Sequence, residues 1–406
     1  MNRTVAVSKR AQKRIQSLNQ WVYKSDLIDA AKAAGSIANG DIVDVTDEDG
    51  RFLAQAYFSG LSQISLRVLT RRAQDPIDEN FVRARLLAAL DRRRKLIDLS
   101  RITIVRLLNS EADFVPGLVV DKYGDYLVLQ SLAAGAEKFI DTALDFYEKE
   151  TGCRGILIKN DAQVRKLEGL EMYSQWRGES ASGPLRILSD GVHYIVDLAG
   201  GQKTGFFADQ RKAYGLLEGR VNGGALLDCF SYSGAFSMNA FKYGAKSSVI
   251  VDVSKEAVEL ARETARLNGV YDRCEFVCAN AFDYLKYESS KYKAASGNEP
   301  PFDFVVLDPP TFTKSKSHVG EALRGYKEIA LRAARLVKNG GFILTCSCSF
   351  HITMTDFYDS QCAAFSDAGA VGYLAGAGFQ DERDHPVISS MPESLYLKYF
   401  IFQMSK

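Results

Sequence analysis

The second half of the chain alternates between short apolar runs and longer segments with the spacing of amphipathic helices. Most of the apolar runs end in an acidic residue, a glycine turn or a pair of prolines. Runs bounded in this way are typical of buried strands, whereas apolar residues three and four apart predict helices such as Lys255–Asn268. The predicted strands are Leu226–Asp228, Ser247–Ser254, Cys274–Leu285, Phe302–Pro310 and Gly340–Ser349. This order of strand and helix predicts an α/β domain with a Rossmann-like, mostly parallel sheet.

The first half of the chain shows two other patterns. Residues 1–75 hold short alternating segments separated by turns such as Asp49-Gly50, which favours a small barrel or sandwich. Residues 78–100 have the pattern of an amphipathic helix, and strands and a helix at Ala136–Thr151 follow. We therefore divide the chain into a small β-rich domain at 1–76, a small α/β domain at 77–184 and a third domain at 185–406.

Several polar and aromatic residues of the first two domains have two interpretations. Trp21 and Arg67 either contact a ligand of the small domain or belong to its core, and the core is the more common place for such an aromatic residue. A second group forms either a functional site or a structural network of ion pairs between domains, and we favour the structural role. This group is Glu111, Asp113, Asp121, Asp161, Arg165 and Glu168.

Composition narrows the class of protein. The 406 residues are 46% hydrophobic and 25% charged, as expected for globular domains with a core. Seven cysteines without paired C-x-x-C motifs, and four histidines without ligand spacing, favour a reducing cytoplasm and no metal site. The sequence shows neither a signal peptide nor an apolar stretch of about 18 residues, so we expect a soluble cytoplasmic protein with no membrane partner.

Charge is unevenly distributed. The first hundred residues hold 17 Lys and Arg against 12 Asp and Glu, and the remainder holds 34 against 38. Basic residues cluster at Lys9–Arg14, Arg71-Arg72 and Arg92–Lys95. Such clusters suit a nucleic-acid backbone, but they are equally typical of solvated helix faces, and the pattern leaves both open.

A nucleotide-type cofactor pocket is predicted around LLDCFSYSG, Leu226–Gly234. Asp228 ends the first strand, and the following turn opens a helix near Ala235; ligands bind at such strand ends. Asp252 ends the next strand, where an acid accepts hydrogen bonds from ribose hydroxyls. Because no G-x-G-x-x-G approaches a pyrophosphate, a cofactor without phosphates, S-adenosylmethionine, fits better than a nicotinamide dinucleotide. The predicted cofactor-binding residues on these strand ends are Asp228, Phe230, Ser231, Ser233, Gly234, Asp252, Ser254, Ala281, Phe282, Asp283 and Asp308.

The segment GQKTGFFADQR, Gly201–Arg211, adds Lys203, Phe207 and Gln210 to the predicted cofactor site. Its glycines permit close backbone approach, and its cations suit a cofactor carboxylate or an RNA phosphate. The alternative is a helix start packed by two phenylalanines.

Together these motifs resemble a known family. LLDCFSYSG, VDVS, NAFD, LDPPTF and TCSCS are similar to motifs of class I S-adenosylmethionine-dependent RNA methyltransferases. Further segments resemble the bacterial family that makes 5-methylcytosine in 23S ribosomal RNA and has an N-terminal PUA domain. These segments are Pro116–Asp125, Val164–Leu170, Gly201–Arg211, Arg324–Ile329 and Asp384–Val387. The resemblance implies an RNA-binding PUA-like domain, a middle domain that shapes the RNA cleft, and a homodimer. It also implies 23S ribosomal RNA as substrate, free or in an assembly intermediate of the large subunit.

Methylating carbon 5 of cytosine requires a nucleophile, because that carbon is unreactive in the aromatic ring. A thiolate that adds to carbon 6 removes the aromaticity and activates carbon 5. Local geometry hardly separates Cys346 from Cys348, since residues two apart share a face of a regular strand. The family motif aligns Cys348 as the nucleophile. Asp308 is the second predicted catalytic residue, placed to hydrogen-bond the cytosine ring.

Two other functions stay open. Asp-Pro-Pro followed by Phe312 also resembles methyltransferases that act on a purine nitrogen and need no cysteine. A non-catalytic, RNA-binding ribosome assembly factor is the second alternative. The base that removes the carbon 5 proton is not assigned.

Overall fold

The first 70 residues form one mixed sheet in the order β1-β3-β4-β5-β2. Its elements are β1 (Arg3–Ala6), α1 (Lys9–Gln16), β2 (Trp21–Tyr23), α2 (Ala30–Ser36), β3 (Ile42–Thr46), β4 (Phe52–Phe58) and β5 (Ile64–Thr70). The strands follow the predicted alternation. The two short helices were not predicted, because α1 buries only Ala11 and Ile15 and so lacks a clear apolar period. The computed structural model describes residues 3–292, 299–313 and 315–406.

A second sheet follows in the order β10-β9-β8-β7-β6. The elements here are α3 (Glu79–Leu96), β6 (Ile104–Asn109), β7 (Leu118–Tyr123), β8 (Tyr126–Ser131), α4 (Ile140–Thr151), β9 (Gly155–Asn160), α5 (Val164–Leu167) and β10 (Tyr173–Gly178). The helix predicted at 78–100 is α3, which begins where the Asp78 side chain accepts a hydrogen bond from the Phe81 amide. The helix expected from Ala136 becomes α-helical only at Ile140, after a 3₁₀ turn.

The uncertain polar residues of this region are engaged in ion pairs and hydrogen bonds. Arg67 is buried and contacts Glu168 at 2.9 Å, and the Trp21 indole donates to Glu111 at 2.9 Å. The fully buried Arg93 holds both carboxylate oxygens of Asp113, at 2.6 and 2.7 Å. Further pairs join Arg106 to Asp121 and Arg165 to Glu137. These contacts favour the structural interpretation of the group, although Asp161 is exposed.

The third sheet has seven strands, and its elements begin after the hairpin β11 (Leu185–Ser189) and β12 (Val192–Val196). They are α6 (Arg211–Gly215), β13 (Ala225–Cys229), α7 (Ala235–Lys242), β14 (Ser247–Asp252), α8 (Lys255–Leu267), β15 (Cys274–Cys278), α9 (Ala281–Ser290), β16 (Phe302–Leu307), α10 (Val319–Leu336), β17 (Val337–Ser347), α11 (Met354–Asp367), β18 (Val371–Phe379) and β19 (Lys398–Ser405). The order is β15-β14-β13-β16-β17-β19-β18, and β19 runs antiparallel to both of its neighbours. The predicted Rossmann-like, mostly parallel sheet is confirmed.

This topology brings the ends of β13, β14, β16 and β17 to one edge. Strands β13 and β16 are adjacent and parallel, so Cys229 pairs with Leu307 and the residues after each strand emerge side by side. Strand order reverses on either side of β13, which is where doubly wound sheets bind ligands. The fully buried Leu227, Val305 and Ile343 fix the centre of the sheet beneath this edge.

Two sequence expectations around α9 were wrong. The strand predicted over Cys274–Leu285 ends at Cys278, because the Asn280 side chain accepts from the Phe282 amide and starts a helix. The surface loop expected at Lys286–Pro301 is helical as far as Ser290, and its residues 293–298 lie outside the described part.

The chain divides into two compact units. One comprises Met1–Ile187, Val196–Ala208 and Glu382–Ser394, and the other comprises Leu188–Ile195, Asp209–Asp381 and Leu395–Lys406. The division into domains at 1–76, 77–184 and 185–406 stays a proposal. Over the described residues, no helix is both long and apolar enough to cross a bilayer.

Candidate functional site

The turn after β13 has an unusual backbone. Phe230 and Tyr232 have φ angles of 62° and 48°, and Gly234 follows with a φ of 77°. Left-handed backbone at a non-glycine residue costs of order 1–3 kcal/mol and is found where the surrounding structure enforces it. Here the Tyr232 amide donates to the Asp252 carboxylate at 2.8 Å, and the Gly234 amide donates to the Ser231 carbonyl at 2.9 Å. The predicted glycine turn is thus present and is tied to the end of the next strand.

Asp228 lies beneath this turn and is completely buried. Its Oδ2 accepts from the amide and the hydroxyl of Ser237, at 3.1 and 2.7 Å. Its Oδ1 has no hydrogen-bond partner within the described residues, and neither has the Ser233 hydroxyl. The pKa of Asp228 is raised to about 7, mainly by burial and in smaller part by the nearby Asp252, while the hydrogen bonds from Ser237 oppose the shift. The turn therefore holds a buried acid with one unused acceptor.

Asp252 and Ser254 organise the start of α8. Asp252 Oδ1 accepts from the Ser254 amide at 2.9 Å, and the Ser254 hydroxyl caps the helix by accepting from the Ala257 amide at 3.1 Å. The Ser254 hydroxyl also donates to Glu256 at 2.8 Å. Ser254 thus has a structural role that the sequence pattern did not predict, while the half-buried Asp252 retains room for further acceptor contacts.

The first turn of α9 lies beside the turns that follow β13 and β16. Ala281 is buried, Phe282 is half-buried and Asp283 is exposed. The Phe282 ring lies 6.1 Å from the Phe230 ring and 5.6 Å from the Phe312 ring. An apolar wall therefore connects the turns after β13, β15 and β16, with the Asp283 carboxylate beside it.

The turn Asp308-Pro309-Pro310 follows β16 directly. Asp308 Oδ1 accepts from the Gln210 side-chain amide at 2.8 Å, so these two predicted residues meet. The Asp308 amide lies 3.4 Å from the Cys229 carbonyl, which ties the turn to β13. Prolines after β16 cannot donate to a ladder, so they hold the segment outside the sheet.

The two cysteines at the end of β17 differ in environment. Strand β17 ends at Ser347, so the regular alternation that would place both thiols on one face does not extend to Cys348. Cys346 is fully buried, with its Sγ 4.0 Å from Gln210 Oε1, and burial raises its pKa well above the usual value. Cys348 is half-buried, with its Sγ 3.1 Å from the Thr311 hydroxyl and 3.9 Å from the Pro309 carbonyl. Only Cys348 of this pair combines exposure with a position against the Asp-Pro-Pro turn.

A hydroxyl network that the sequence reasoning missed supports the Cys348 loop. Tyr326 on α10 is fully buried, and its hydroxyl lies 3.0 Å from that of Ser347 and 3.1 Å from that of Ser349. The Phe312 amide also donates to the Ser349 hydroxyl, at 3.2 Å. Tyr326 belongs to the RGYKEI segment, but no residue spacing links it to the cysteines. These hydrogen bonds link the loop after β16 to the loop after β17.

Two of the predicted cofactor-binding residues belong to the other compact unit. Lys203 is exposed and Phe207 half-buried; they belong to the compact unit that contains β1–β10, and Lys203 Nζ lies 4.5 Å from the Phe207 ring centre. In the segment after the double proline, Lys316 and His318 are exposed, and Lys314 lies outside the described residues.

Comparison with known proteins identifies the class. Residues 5–71 match the family model of a PUA-like domain, and residues 170–369 match that of an S-adenosylmethionine-dependent methyltransferase. The chain has the fold of a proposed S-adenosylmethionine-dependent methyltransferase from Streptococcus mutans, with a TM-score of 0.82 at 20% identity over 99% of this chain and 100% of that one.

Curated relatives extend over the whole chain. The Aeromonas salmonicida protein named ribosomal RNA large subunit methyltransferase I is 36% identical over 96% of both chains. The Alteromonas mediterranea protein of that name is 33% identical over 100% of both. The predicted PUA-like domain and the predicted cofactor, S-adenosylmethionine, are confirmed. The chain therefore belongs to the ribosomal RNA large subunit methyltransferase I family of S-adenosylmethionine-dependent methyltransferases.

Proposed function

We propose that this protein methylates carbon 5 of a cytosine in 23S ribosomal RNA, with Cys348 as the covalent nucleophile. One observation carries the proposal: the half-buried Cys348 thiol lies against the Asp308-Pro309-Pro310 turn, while Cys346 is sealed in the core. A thiol must be accessible and able to ionise to act as a nucleophile. Cys348 meets the first condition and Cys346 meets neither.

The residues after β13, β14 and β15 fit S-adenosylmethionine. The unpartnered Asp228 Oδ1 and Ser233 hydroxyl offer polar atoms inside the turn, and the half-buried Asp252 suits ribose hydroxyls. The aromatic wall of Phe230 and Phe282 suits the adenine face. We assign to this site Asp228, Phe230, Ser231, Ser233, Gly234, Asp252, Ser254, Ala281, Phe282, Asp283, Asp308 and Gln210. The bound cofactor supplies an electrophilic methyl group on its sulfonium. The assignment of Lys203 and Phe207 stays a prediction from the sequence.

The residues after β16 and β17 provide the chemistry on the base. The Cys348 thiolate forms a bond to carbon 6 of cytosine, and the electron pair displaced from the ring makes carbon 5 nucleophilic. Asp308, positioned by Gln210, is placed to accept a hydrogen bond from the cytosine amino group or from the ring nitrogen of the protonated adduct. When carbon 5 later loses its proton, the bond between sulfur and carbon 6 breaks and Cys348 leaves as a thiolate.

Large-subunit ribosomal RNA as substrate is inferred from the relatives' names and from the PUA-like domain. Lys9 and Lys13 on α1 and Arg92 and Lys95 on α3 are exposed, as phosphate contacts require. A cytoplasmic location, a homodimer and the choice between free RNA and an assembly intermediate stay predictions.

The test is methyl transfer from labelled S-adenosylmethionine to unmodified 23S RNA, with the product digested to nucleosides. Wild type and Cys346→Ala are expected to yield 5-methylcytosine, whereas Cys348→Ala is expected to yield none. Methylation by Cys348→Ala, or a nitrogen-methylated purine as product, would replace the cysteine mechanism with the purine alternative. RNA binding without any methyl transfer by wild type would indicate an assembly factor.

A further inference from the structure

A buried lysine lies next to the segment that carries Cys348. Lys398 is the first residue of β19 and pairs with Ser347, the last residue of β17. Its side chain is buried, and its Nζ donates to the Ser349 carbonyl at 2.9 Å. The ammonium therefore contacts the carbonyl of the residue that directly follows Cys348.

Burying this lysine has a free-energy cost that a purely structural role does not explain. Removing an ammonium from water costs several kcal/mol unless an opposite charge or full hydrogen bonding compensates. Among the described residues, no carboxylate lies within ion-pair distance of Lys398, and the Ser349 carbonyl is its hydrogen-bond acceptor. Burial lowers its pKa to about 8, and the charge of a Cys348 thiolate acts in the opposite direction. At neutral pH the lysine is therefore still mostly protonated, and it is hydrogen-bonded to the residue after Cys348.

We propose that Lys398 is a positioning residue that stabilises the thiolate of Cys348 and fixes the backbone that carries it. The catalytic meaning of this role rests on the proposed function, in which that thiolate attacks carbon 6. In forming the pair, the thiol proton goes to solvent and the lysine keeps its own. An opposite charge close to a thiol lowers the pH at which the thiolate forms, which a nucleophilic cysteine needs near neutral pH.

The following titratable groups of the described residues near the thiol do not provide this charge. Asp308 and a Tyr326 phenolate, on the segments of β16 and α10, are both acids and disfavour a thiolate. Cys346 on β17 is held neutral by burial. Lys212 lies on the side of β18. Its Nζ is 5.1 Å from the ring centre of Phe379, which is the β18 residue that pairs with Lys398. Other groups near these strands include Asp209, Arg211 and Asp381, which form a hydrogen-bonded cluster to which the Tyr396 hydroxyl also donates. They also include Tyr399, which pairs with Cys346, and Tyr358 of α11, which packs on Phe400.

The test measures the thiol directly, without RNA or cofactor. Protein is treated briefly with iodoacetamide from pH 5.5 to 9.5, and alkylation of the Cys348 peptide is quantified by mass spectrometry. In wild type the midpoint is expected below about 8.5, the value of a free cysteine. In Lys398→Met it is expected to rise by about one pH unit, which makes alkylation about tenfold slower on the acid side. Lys398→Arg, which keeps the charge, is expected to stay near wild type.

Lys406→Met is the matched control. Lys406 follows the same strand, and its Nζ likewise donates to a backbone carbonyl, that of Val337 at the start of β17 and so at the far end of the strand pair from Cys348. This variant is expected to leave the Cys348 midpoint unchanged. A wild-type midpoint at or above 8.5 overturns the proposal even if Lys398→Met does not fold, and equal midpoints in Lys398→Met and Lys406→Met also overturn it. Because alkylation requires no methyl transfer, a failed search for 5-methylcytosine refutes the proposed function and leaves this result intact.

Discussion

Replacing Asp228 with asparagine changes how the stability of the cofactor turn depends on pH. The buried carboxyl has a pKa of about 7 in the folded protein against 3.8 for an exposed aspartate. Below pH 3.8 both states are protonated and burial carries no electrostatic penalty. Between 3.8 and 7 only the unfolded state ionises, so stability falls as pH rises, and above 7 the penalty is constant.

The size of the effect follows from these two pKa values. One unit corresponds to about 1.4 kcal/mol, so the full penalty is of order 4 kcal/mol, about half of which is present at pH 5.5. The Asp228→Asn substitution removes the pH-dependent part. It adds a constant cost of about 1–3 kcal/mol, because the new side-chain amide has no acceptor at the position of Oδ1. As the pH rises from 5.5 to 8, the stability of Asp228→Asn relative to wild type therefore increases by about 2 kcal/mol, which is a factor of about 30 in the equilibrium constant for opening.

Hydrogen–deuterium exchange of peptides from β13 and α7 measures this gain in the cofactor-free protein. Comparing variant and wild type at the same pH cancels the intrinsic exchange rate, so the ratio of their protection factors gives the difference in opening free energy. Asn239→Ala on α7 is the control, because it removes a buried hydrogen bond to Tyr194 without removing a carboxyl. A ratio for Asp228→Asn that is as independent of pH as the control would refute the raised pKa.

Two further variants test the turn and the hydroxyl network. Gly234→Ala forces an alanine to a φ of 77° in the cofactor turn. We expect its affinity for S-adenosylhomocysteine, measured by calorimetry, to fall by about 5- to 30-fold, the equivalent of 1–2 kcal/mol. The control Gly269→Ala, with a φ of 66° and open space at Cβ, should bind as wild type does. Tyr326→Phe leaves two serine hydroxyls beside Cys348 without their shared partner, so we expect slower methyl transfer at unchanged cofactor affinity. A wild-type rate in Tyr326→Phe, or a loss equal to that of Tyr194→Phe, would show that the network does not support the thiol.

Much of the fold could be predicted because its elements follow local patterns. The strands of the large sheet are short apolar runs with abrupt ends, and α3 has the apolar period of an amphipathic helix. Helix α1 was missed since most of its surface is charged and only two side chains are buried. The strand predicted beyond Cys278 was wrong because the Asn280 cap outweighed the β-propensity of the residues that follow.

The candidate site was predictable only where its residues end strands. Asp228, Asp252 and Asp308 could be placed on one edge because parallel strands share their carboxyl ends. The difference between Cys346 and Cys348 depends on where β17 stops pairing, which no periodicity specifies. Lys398 approaches Cys348 through the pairing of β19 with β17, between residues some fifty positions apart in sequence. Contacts of that kind come from topology, so sequence spacing cannot show them.

The central claim, that Cys348 bonds to carbon 6 of a cytosine, is tested most directly by trapping that bond. RNA transcribed with 5-fluorocytidine in place of cytidine carries no removable proton at carbon 5, so the adduct cannot resolve after methylation. With S-adenosylmethionine present, we expect a denaturation-resistant complex of protein and RNA, and after digestion a nucleotide attached to the Cys348 peptide. Cys348→Ala should form no complex and Cys346→Ala should form it normally. A complex attached at any other residue, or its absence from wild type that methylates ordinary RNA, would contradict the covalent mechanism.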